Sequence, residues 1–182
     1  SSDVCSSDLS LTRRVGRDDA MLEWRVAGIL DQIRNGGDMA LRQVSEAIEG
    51  FSTDEVKVTG EEIDAACDLV PEDLKAAITE AAARIRAFHE LEVPRDIEWD
   101  AGAGTVCRRR YVPIRRVGFY IPGGTAPLFT TVLMLGVPSS IAGCRERVMF
   151  TPPSKDGSVV PAILFAAALC GISDIYKVGG AQ

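Results

Sequence analysis

This sequence of 182 residues has fewer basic than acidic side chains. Lysine and arginine number 20 against 26 aspartates and glutamates, which gives a net charge of -6 at pH 7. Proteins that bind the phosphate backbone of nucleic acids usually carry a basic face. The deficit therefore argues against nucleic acid as a partner.

Long apolar runs and paired cysteines are lacking as well. No run approaches the roughly 18 to 20 residues that cross a bilayer, and no basic start leads into a short apolar stretch as in a secretory signal peptide. We therefore expect a cytoplasmic protein with no membrane partner. The cysteines are odd in number, widely spaced and without a CxxC pair, so most are predicted to be small core residues rather than disulfide or zinc ligands. They are Cys5, Cys67, Cys107, Cys144 and Cys170.

What the sequence does contain is 46% apolar residues, enough to cover a sizeable core. The two ends are unusual. Residues 1–9, "SSDVCSSDL", repeat Ser-Ser-Asp without a helical or strand period, so we interpret them as a non-native extension. The last residues, "DIYKVGGAQ", stop at a glycine turn after a predicted strand, and we expect the chain to be truncated there.

Residues 10–116 are predicted to form a mainly helical region with short strands near its end, as part of the first domain. Apolar residues follow a helical period, and the "NGG" at 35–37 is expected to end the first helix before a second begins. Thr59 and Glu62 form a capping-box pattern for a third helix, and Pro71 suits the first turn of a fourth. This half is interpreted as packing scaffold.

The segment "CRRRYVPIRR", residues 107–116, contains five arginines. It could bind a phosphate or an acidic partner. The alternative is a set of solvated side chains on an edge hairpin, and the sequence favours it because charge runs usually mark a surface exposed to water.

Residues 117–182 show an α/β pattern. "VGFYI", "RVMF" and "DIYKV" are predicted strands, and residues 127–135 and 160–169 are predicted helices. Strands alternating with helices at this spacing indicate βαβ crossovers and a parallel sheet. Ligands bind beyond the carboxyl ends of such strands, which here lead into "PGG", "PPS" and "GGAQ".

Glycines at these strand ends would let a ligand approach the backbone closely, and amides at a following helix start favour an anion such as a pyrophosphate. A nucleotide is therefore expected. The usual fingerprints are missing, however: there is no G-x-G-x-x-G after a strand, and no GxxxxGK[ST]. An α/β domain whose glycines serve only as turns explains this pattern about as well.

The order of several motifs resembles the N-terminal part of the histidinol dehydrogenase family. They are "IRNGGDMAL", "RRVGFYIPGGTAPLFTTVLMLGVPSSIAGC", "TPPS" and "ALCGISDIYKVGGAQ", and the resemblance covers nearly all of residues 17–182. It implies an NAD-dependent, zinc-containing cytoplasmic homodimer that oxidises L-histidinol through an aldehyde level to L-histidine, in the last steps of histidine biosynthesis. It also implies that residues 117–182 are a truncated Rossmann-like NAD-binding domain that lacks the usual glycine fingerprint.

Two site residues follow from this resemblance. The family's Y-[IV]-P-G-G motif places an NAD contact at Tyr120, and its V-G-G-A-Q motif places a second at Gln182. Both residues stand at strand ends beside paired glycines, where an aromatic ring or an amide can reach a nucleotide. We therefore predict that the two side chains lie close enough to contact one bound nucleotide.

The family's zinc ligands and its glutamate–histidine proton-transfer pair have no match here. The chain has a single histidine, His89, which is predicted to stand at a helix end, where a positive charge is favourable. Zinc needs three or four converging ligands. We therefore assign no catalytic residue and no metal ligand, and expect those groups beyond the end of this chain.

Three functions remain open at this point. The first is an inactive fragment of a histidinol dehydrogenase. The second is a related dehydrogenase for another small alcohol, such as the sulfonated diols that relatives on this scaffold oxidise, although "GGTAPLFTTVLML" favours the histidinol branch. The third is a nucleotide-binding module without catalysis.

Overall fold

The structure, a computed structural model, describes residues 20–51, 53–123 and 128–182. Its helices are α1 (Ala20–Glu49), α2 (Gly60–Leu69), α3 (Glu72–Leu91), α4 (Phe129–Ile141) and α5 (Pro161–Leu169). Its strands are β1 (Ile97–Gly102), β2 (Thr105–Arg109), β3 (Arg116–Tyr120), β4 (Glu146–Thr151) and β5 (Asp174–Lys177). The predicted extension at 1–9, Cys5 and the predicted helix start at Pro127 lie outside the described residues.

Helix α1 is bent where the sequence predicts a break between two helices. Gly37 has φ 55° and ψ -142°, which are not helical values. A positive φ is accessible to glycine at little cost because glycine has no Cβ. The two predicted helices are therefore halves of one kinked element, and the second half ends at Glu49 before Gly50.

Helices α2 and α3 begin as their sequences predict. Thr59 accepts a hydrogen bond from the Glu62 backbone N–H, and the Glu62 side chain accepts one from the Thr59 backbone, which completes the capping box. Pro71 stands immediately before α3, so this helix begins one residue later than predicted.

The arginine-rich segment starts on an exposed two-stranded hairpin. β1 and β2 pair antiparallel, and every residue in both strands is exposed. Arg108 pairs with Glu98 at 2.7 Å, and Arg115 pairs with Glu146 at 2.9 Å. This arrangement agrees with solvated, ion-paired surface side chains.

Strands β3, β4 and β5 form a parallel sheet in that order. Tyr120 stands opposite Phe150, and Phe150 stands opposite Tyr176. The predicted α/β class is confirmed, with helices preceding a parallel βαβαβ unit. The segment before α2 covers the outer edge of β5, because Val58 N–H donates to the Ile175 carbonyl at 2.9 Å.

The core lies between the sheet and helices α4 and α5. Alternate strand residues such as Phe119, Met149 and Ile175 are buried in one cluster with side chains of both helices. Helix α2 packs on α5 and helix α3 packs on α4, so four helices stand on this side of the sheet. On the opposite face the rings of Phe150 and Tyr176 stack with centroids 5.6 Å apart.

Two predictions need correction. Helix α4 continues six residues beyond the predicted end at Leu135, to Ile141, and it contains Pro138. The helix persists because Val132, Leu133, Gly136 and Val137 are buried along it, and this packing compensates for the backbone hydrogen bond that proline cannot donate.

The prediction that most cysteines are core residues is wrong for the described ones. Cys170 alone is buried, Cys67 and Cys144 are partly buried, and Cys107 is exposed. Cys107 lies on β2, where both faces of the hairpin contact water. Across the described ranges, no helix is long and apolar enough to cross a membrane.

Candidate functional site

The parallel strands end at one edge of the sheet, in loops rich in glycine and proline. β3 leads into "IPG", β4 into "PPS" and β5 into "VGGAQ". Ligands of open parallel sheets bind at this edge, because the loops there leave a crevice between neighbouring strands. The two predicted cofactor contacts, Tyr120 and Gln182, both belong to it.

Tyr120 contacts the turn that follows β5, although 60 positions separate it from Gly180. The backbone N–H of Gly180 donates to the Tyr120 hydroxyl oxygen at 3.2 Å. Tyr120 is still 45% exposed, so its ring offers an apolar face to a ligand. The structure thus brings Tyr120 to the short turn that ends at Gln182.

Gln182 is held by a residue of helix α1. Its side-chain Nε2 donates to Glu49 Oε1 at 3.1 Å. The backbone of Gly179 also hydrogen-bonds to the Glu49 carboxylate. Glu49 therefore contacts both ends of the Gly179–Gln182 turn from an element that precedes it by more than 100 residues.

The Glu49–Gln182 pair leaves two buried oxygens unpaired. Oε2 of Glu49 and Oε1 of Gln182 have no hydrogen-bond partner among the described residues. Burial raises the pKa of the Glu49 carboxyl, and the hydrogen bonds from Gln182 and Gly179 offset part of that rise. An unpaired buried acceptor costs about 1–3 kcal/mol of free energy. A ligand that donates a hydrogen bond to it would remove this cost.

Two clefts flank this edge. The helix cleft, about 400 Å³, lies between α1 and β5, and its lining includes Leu41, Tyr176, Val178 and Gln182. The proline cleft, about 340 Å³, lies between the ends of β3 and β4. Its lining includes Pro122, Gly123, Thr151, Pro152, Lys155 and Ile163. Both volumes lie at the lower end of the range for small-molecule sites, about 300–1,000 Å³.

Glu49 is the residue of this site that the sequence interpretation missed. One signal was available: it is the last residue of α1, next to the negative end of the helix dipole, where a carboxylate is unfavourable. A glutamate in that position suggests a tertiary contact that compensates. The contact itself could not be found from the sequence, because Glu49 and Gln182 are 133 positions apart.

His89 lies in the last turn of α3. Its Nδ1 is 2.6 Å from Glu92 Oε2, and its ring packs edge-on against Phe88. Within residues 20–51, 53–123 and 128–182, no three His, Cys, Asp or Glu side chains converge to hold a metal ion. These residues do not fit a zinc site.

Comparison with known proteins identifies the family of this chain. The sequence model of histidinol dehydrogenase matches residues 12–182. The histidinol dehydrogenase of Xylella fastidiosa (strain Temecula1) is 43% identical over 180 residues, 99% of this chain and 42% of that protein. The Bacteroides thetaiotaomicron enzyme of the same name is 46% identical over 157 residues, 86% of this chain and 37% of that protein.

A solved structure shows the same fold. The crystal structure of histidinol dehydrogenase from Elizabethkingia anophelis superimposes with a TM-score of 0.85 and 40% sequence identity, over 88% of this chain and 37% of that one. The chain thus spans about two fifths of the length of the curated relatives it matches. It belongs to the histidinol dehydrogenase family.

Proposed function

We propose that this chain is the nucleotide-binding, N-terminal part of an NAD-dependent dehydrogenase that oxidises L-histidinol in two steps to L-histidine. The observation that carries the proposal is the contact between Tyr120 and the turn ending in Gln182, at the carboxyl edge of a parallel sheet in a member of this family. Residues 117–182 would form the NAD-binding domain, and residues 10–116 would support it.

The residues at this edge fit a dinucleotide. Tyr120 is partly exposed and can pack against a planar group, and Gln182 carries a buried acceptor with no donor among the described residues. A Cβ added to Gly123 would lie 2.6 Å from Pro152 Cγ, so glycine at this position lets the loops after β3 and β4 pack closely together. When bound, NAD would supply the hydride acceptor, while these residues bind and orient it.

The zinc that the resemblance implies has no place among the described residues. We propose that its ligands, the acid–base pair and most of the substrate pocket belong to a part of the complete protein outside these 182 residues. No catalytic residue is therefore assigned to this chain. The names of the relatives favour histidinol over another small alcohol as the substrate.

We also propose that the complete protein is a cytoplasmic homodimer, as the resemblance implies. Apolar side chains exposed on α1 support an additional contact surface. Trp24 is 75% exposed, and Met21, Leu30 and Ile48 are exposed on the same helix. Exposed apolar surface of this kind is typical of a protein interface.

The Tyr120→Ala variant tests the nucleotide site. We expect the dissociation constant for NAD, measured by isothermal titration calorimetry on this chain, to rise by the equivalent of about 1–3 kcal/mol, because the aromatic contact that a bound nucleotide would bury is lost. Tyr111→Ala is the matched control, since Tyr111 is 44% exposed and its ring packs under the Arg109 guanidinium of the arginine-rich segment. An equal effect of both variants, or no NAD binding by the unaltered chain, would refute the assignment.

A further inference from the structure

The Glu49 side chain contacts a turn outside its own helix. The carboxylate reaches from the last residue of the helix to the Gly179–Gln182 turn, and only the absence of a side chain at Gly179 leaves room for it. A Cβ on Gly179 would overlap Glu49 Oε1. The turn and the carboxylate are therefore fitted to each other.

The contact with Glu49 fixes which way the Gln182 amide faces. A carboxylate only accepts hydrogen bonds, so the atom that meets Glu49 Oε1 at 3.1 Å must be the donor Nε2. The reverse orientation would set two acceptor oxygens against each other. Oε1 of Gln182 is consequently turned away from Glu49, and it has no partner among the described residues.

We propose that Glu49 is a positioning residue of the nucleotide site, which holds the Gln182 amide so that Oε1 can accept a hydrogen bond from an N–H or O–H group of the bound nucleotide. The inference rests on the proposed NAD-binding function. Gln182 lines the helix cleft, so a donor that enters this cleft lies beside the Gln182 side chain. An unpaired buried acceptor favours pairing with such a donor.

The Glu49→Gln variant tests this role in the 182-residue chain. It keeps the size of the side chain but replaces an acceptor-only group with one that also donates, so the Gln182 amide can turn over. We expect NAD affinity, measured by calorimetry, to fall about tenfold, the scale of one charge-assisted hydrogen bond. Glu46→Gln is the matched control, because exposed Glu46 lies on the same helix and the charge change is identical.

A double-mutant cycle separates positioning from mere structural support. In a Gln182→Ala background the Glu49→Gln change should have no further effect on NAD affinity, because Glu49 acts through Gln182. Full additivity of the two changes would overturn the proposal, and so would tighter NAD binding by Glu49→Gln.

A spectroscopic measurement without nucleotide completes the test. The side-chain amide signals of Gln182 in a nitrogen–proton correlation spectrum should move in Glu49→Gln and stay in place in Glu46→Gln.

The outcomes for the two proposals are distinguishable. If Tyr120→Ala weakens NAD binding while Glu49→Gln does not, the nucleotide site stands and the positioning role is wrong. If the unaltered chain binds no NAD, both are wrong. Loss of the helical circular-dichroism signal in Glu49→Gln would assign Glu49 a role in folding and would also overturn the proposal.

Discussion

The Glu62–Lys177 ion pair connects helix α2 to the end of β5. The Lys177 ammonium lies 2.5 Å from Glu62 Oε1 and its side chain is only 9% exposed. Burial acts to raise the pKa of the Glu62 carboxyl, but the hydrogen bonds from Lys177 and Thr59 outweigh it and leave that pKa below its ordinary value of 4.5. Such a carboxylate stabilises the fold above its ordinary pKa, and this contribution is lost as the pH falls through the lowered value.

Replacing Glu62 with glutamine should therefore lower stability near neutral pH and flatten its acid dependence. We expect a loss of about 1–2 kcal/mol in the free energy of unfolding at pH 7, less than for a fully buried pair because Glu62 is partly exposed. Below the lowered pKa the unaltered chain and the variant should converge. Urea unfolding followed by circular dichroism measures both effects. The pH should run from about 3 to 7, which covers the usual titration range of a carboxyl group. Glu61→Gln, at an exposed neighbour, should change little, and parallel pH curves for Glu62→Gln and the unaltered chain would contradict the prediction.

Individual residues differ in how far the sequence alone identifies them. Tyr120 and Gln182 were predicted as cofactor contacts from the family's motifs, and that role stays a prediction; the topology of a parallel sheet implies only that the two strand ends lie near each other. Glu49 could not be named, because its partners depend on how far the kink at Gly37 turns the second half of α1 toward the sheet. The angle of such a kink depends on tertiary packing that no local pattern encodes.

At the scale of elements, the sequence was most informative where the apolar period of a segment and the glycine or proline residues at its ends indicate the same boundaries. The parallel strands begin and end within one residue of the predicted positions, since apolar runs bounded by glycine or proline define them. The end of α4 was missed because Pro138 is a strong local stop signal, and burial of the helix overrides it. The bridge between Lys57 and Tyr176 of β5 was missed because an isolated bridge carries no period.

The turn after β5 gives a prediction at this scale. In Gly179→Ala the new Cβ would overlap Glu49 Oε1 and lie 2.7 Å from Pro152 Cβ, so the carboxylate and the proline loop must shift. We expect a loss of about 1–3 kcal/mol in the free energy of unfolding, as for other overpacked sites. The measurement is urea unfolding of the 182-residue chain.

Gly28→Ala is the control, and it should change the free energy of unfolding in the opposite direction. A Cβ at Gly28 meets nothing within 4 Å, and Gly28 lies on α1, so alanine should stabilise the helix by about 0.5–1 kcal/mol. If both alanine variants changed stability alike, the turn would not be as tightly fitted to Glu49 as its geometry indicates.

At the scale of the whole molecule, we propose that recognition of the nucleotide and the chemistry of oxidation belong to different parts of the complete protein. This chain contributes the edge of a parallel sheet with Tyr120, Gln182 and Glu49, whereas a zinc site needs ligands that converge. The length of the relatives gives room for such ligands, because this chain spans 42% of the Xylella fastidiosa protein. Binding without turnover is therefore the behaviour we expect of these 182 residues.

Turnover by the chain and by the complete protein provides the last test. With histidinol, NAD and added zinc, we expect NADH, followed by its absorbance, to form with the complete protein and not with the 182-residue chain. The reason is that the sequence has a single histidine, and His89 is engaged by Glu92 in the last turn of α3. A rate for the chain near that of the complete protein would show that the catalytic groups lie within these residues after all.

The proposed homodimer is tested on the complete protein by light scattering. We expect twice the monomer mass, and a monomeric complete protein would refute the homodimer.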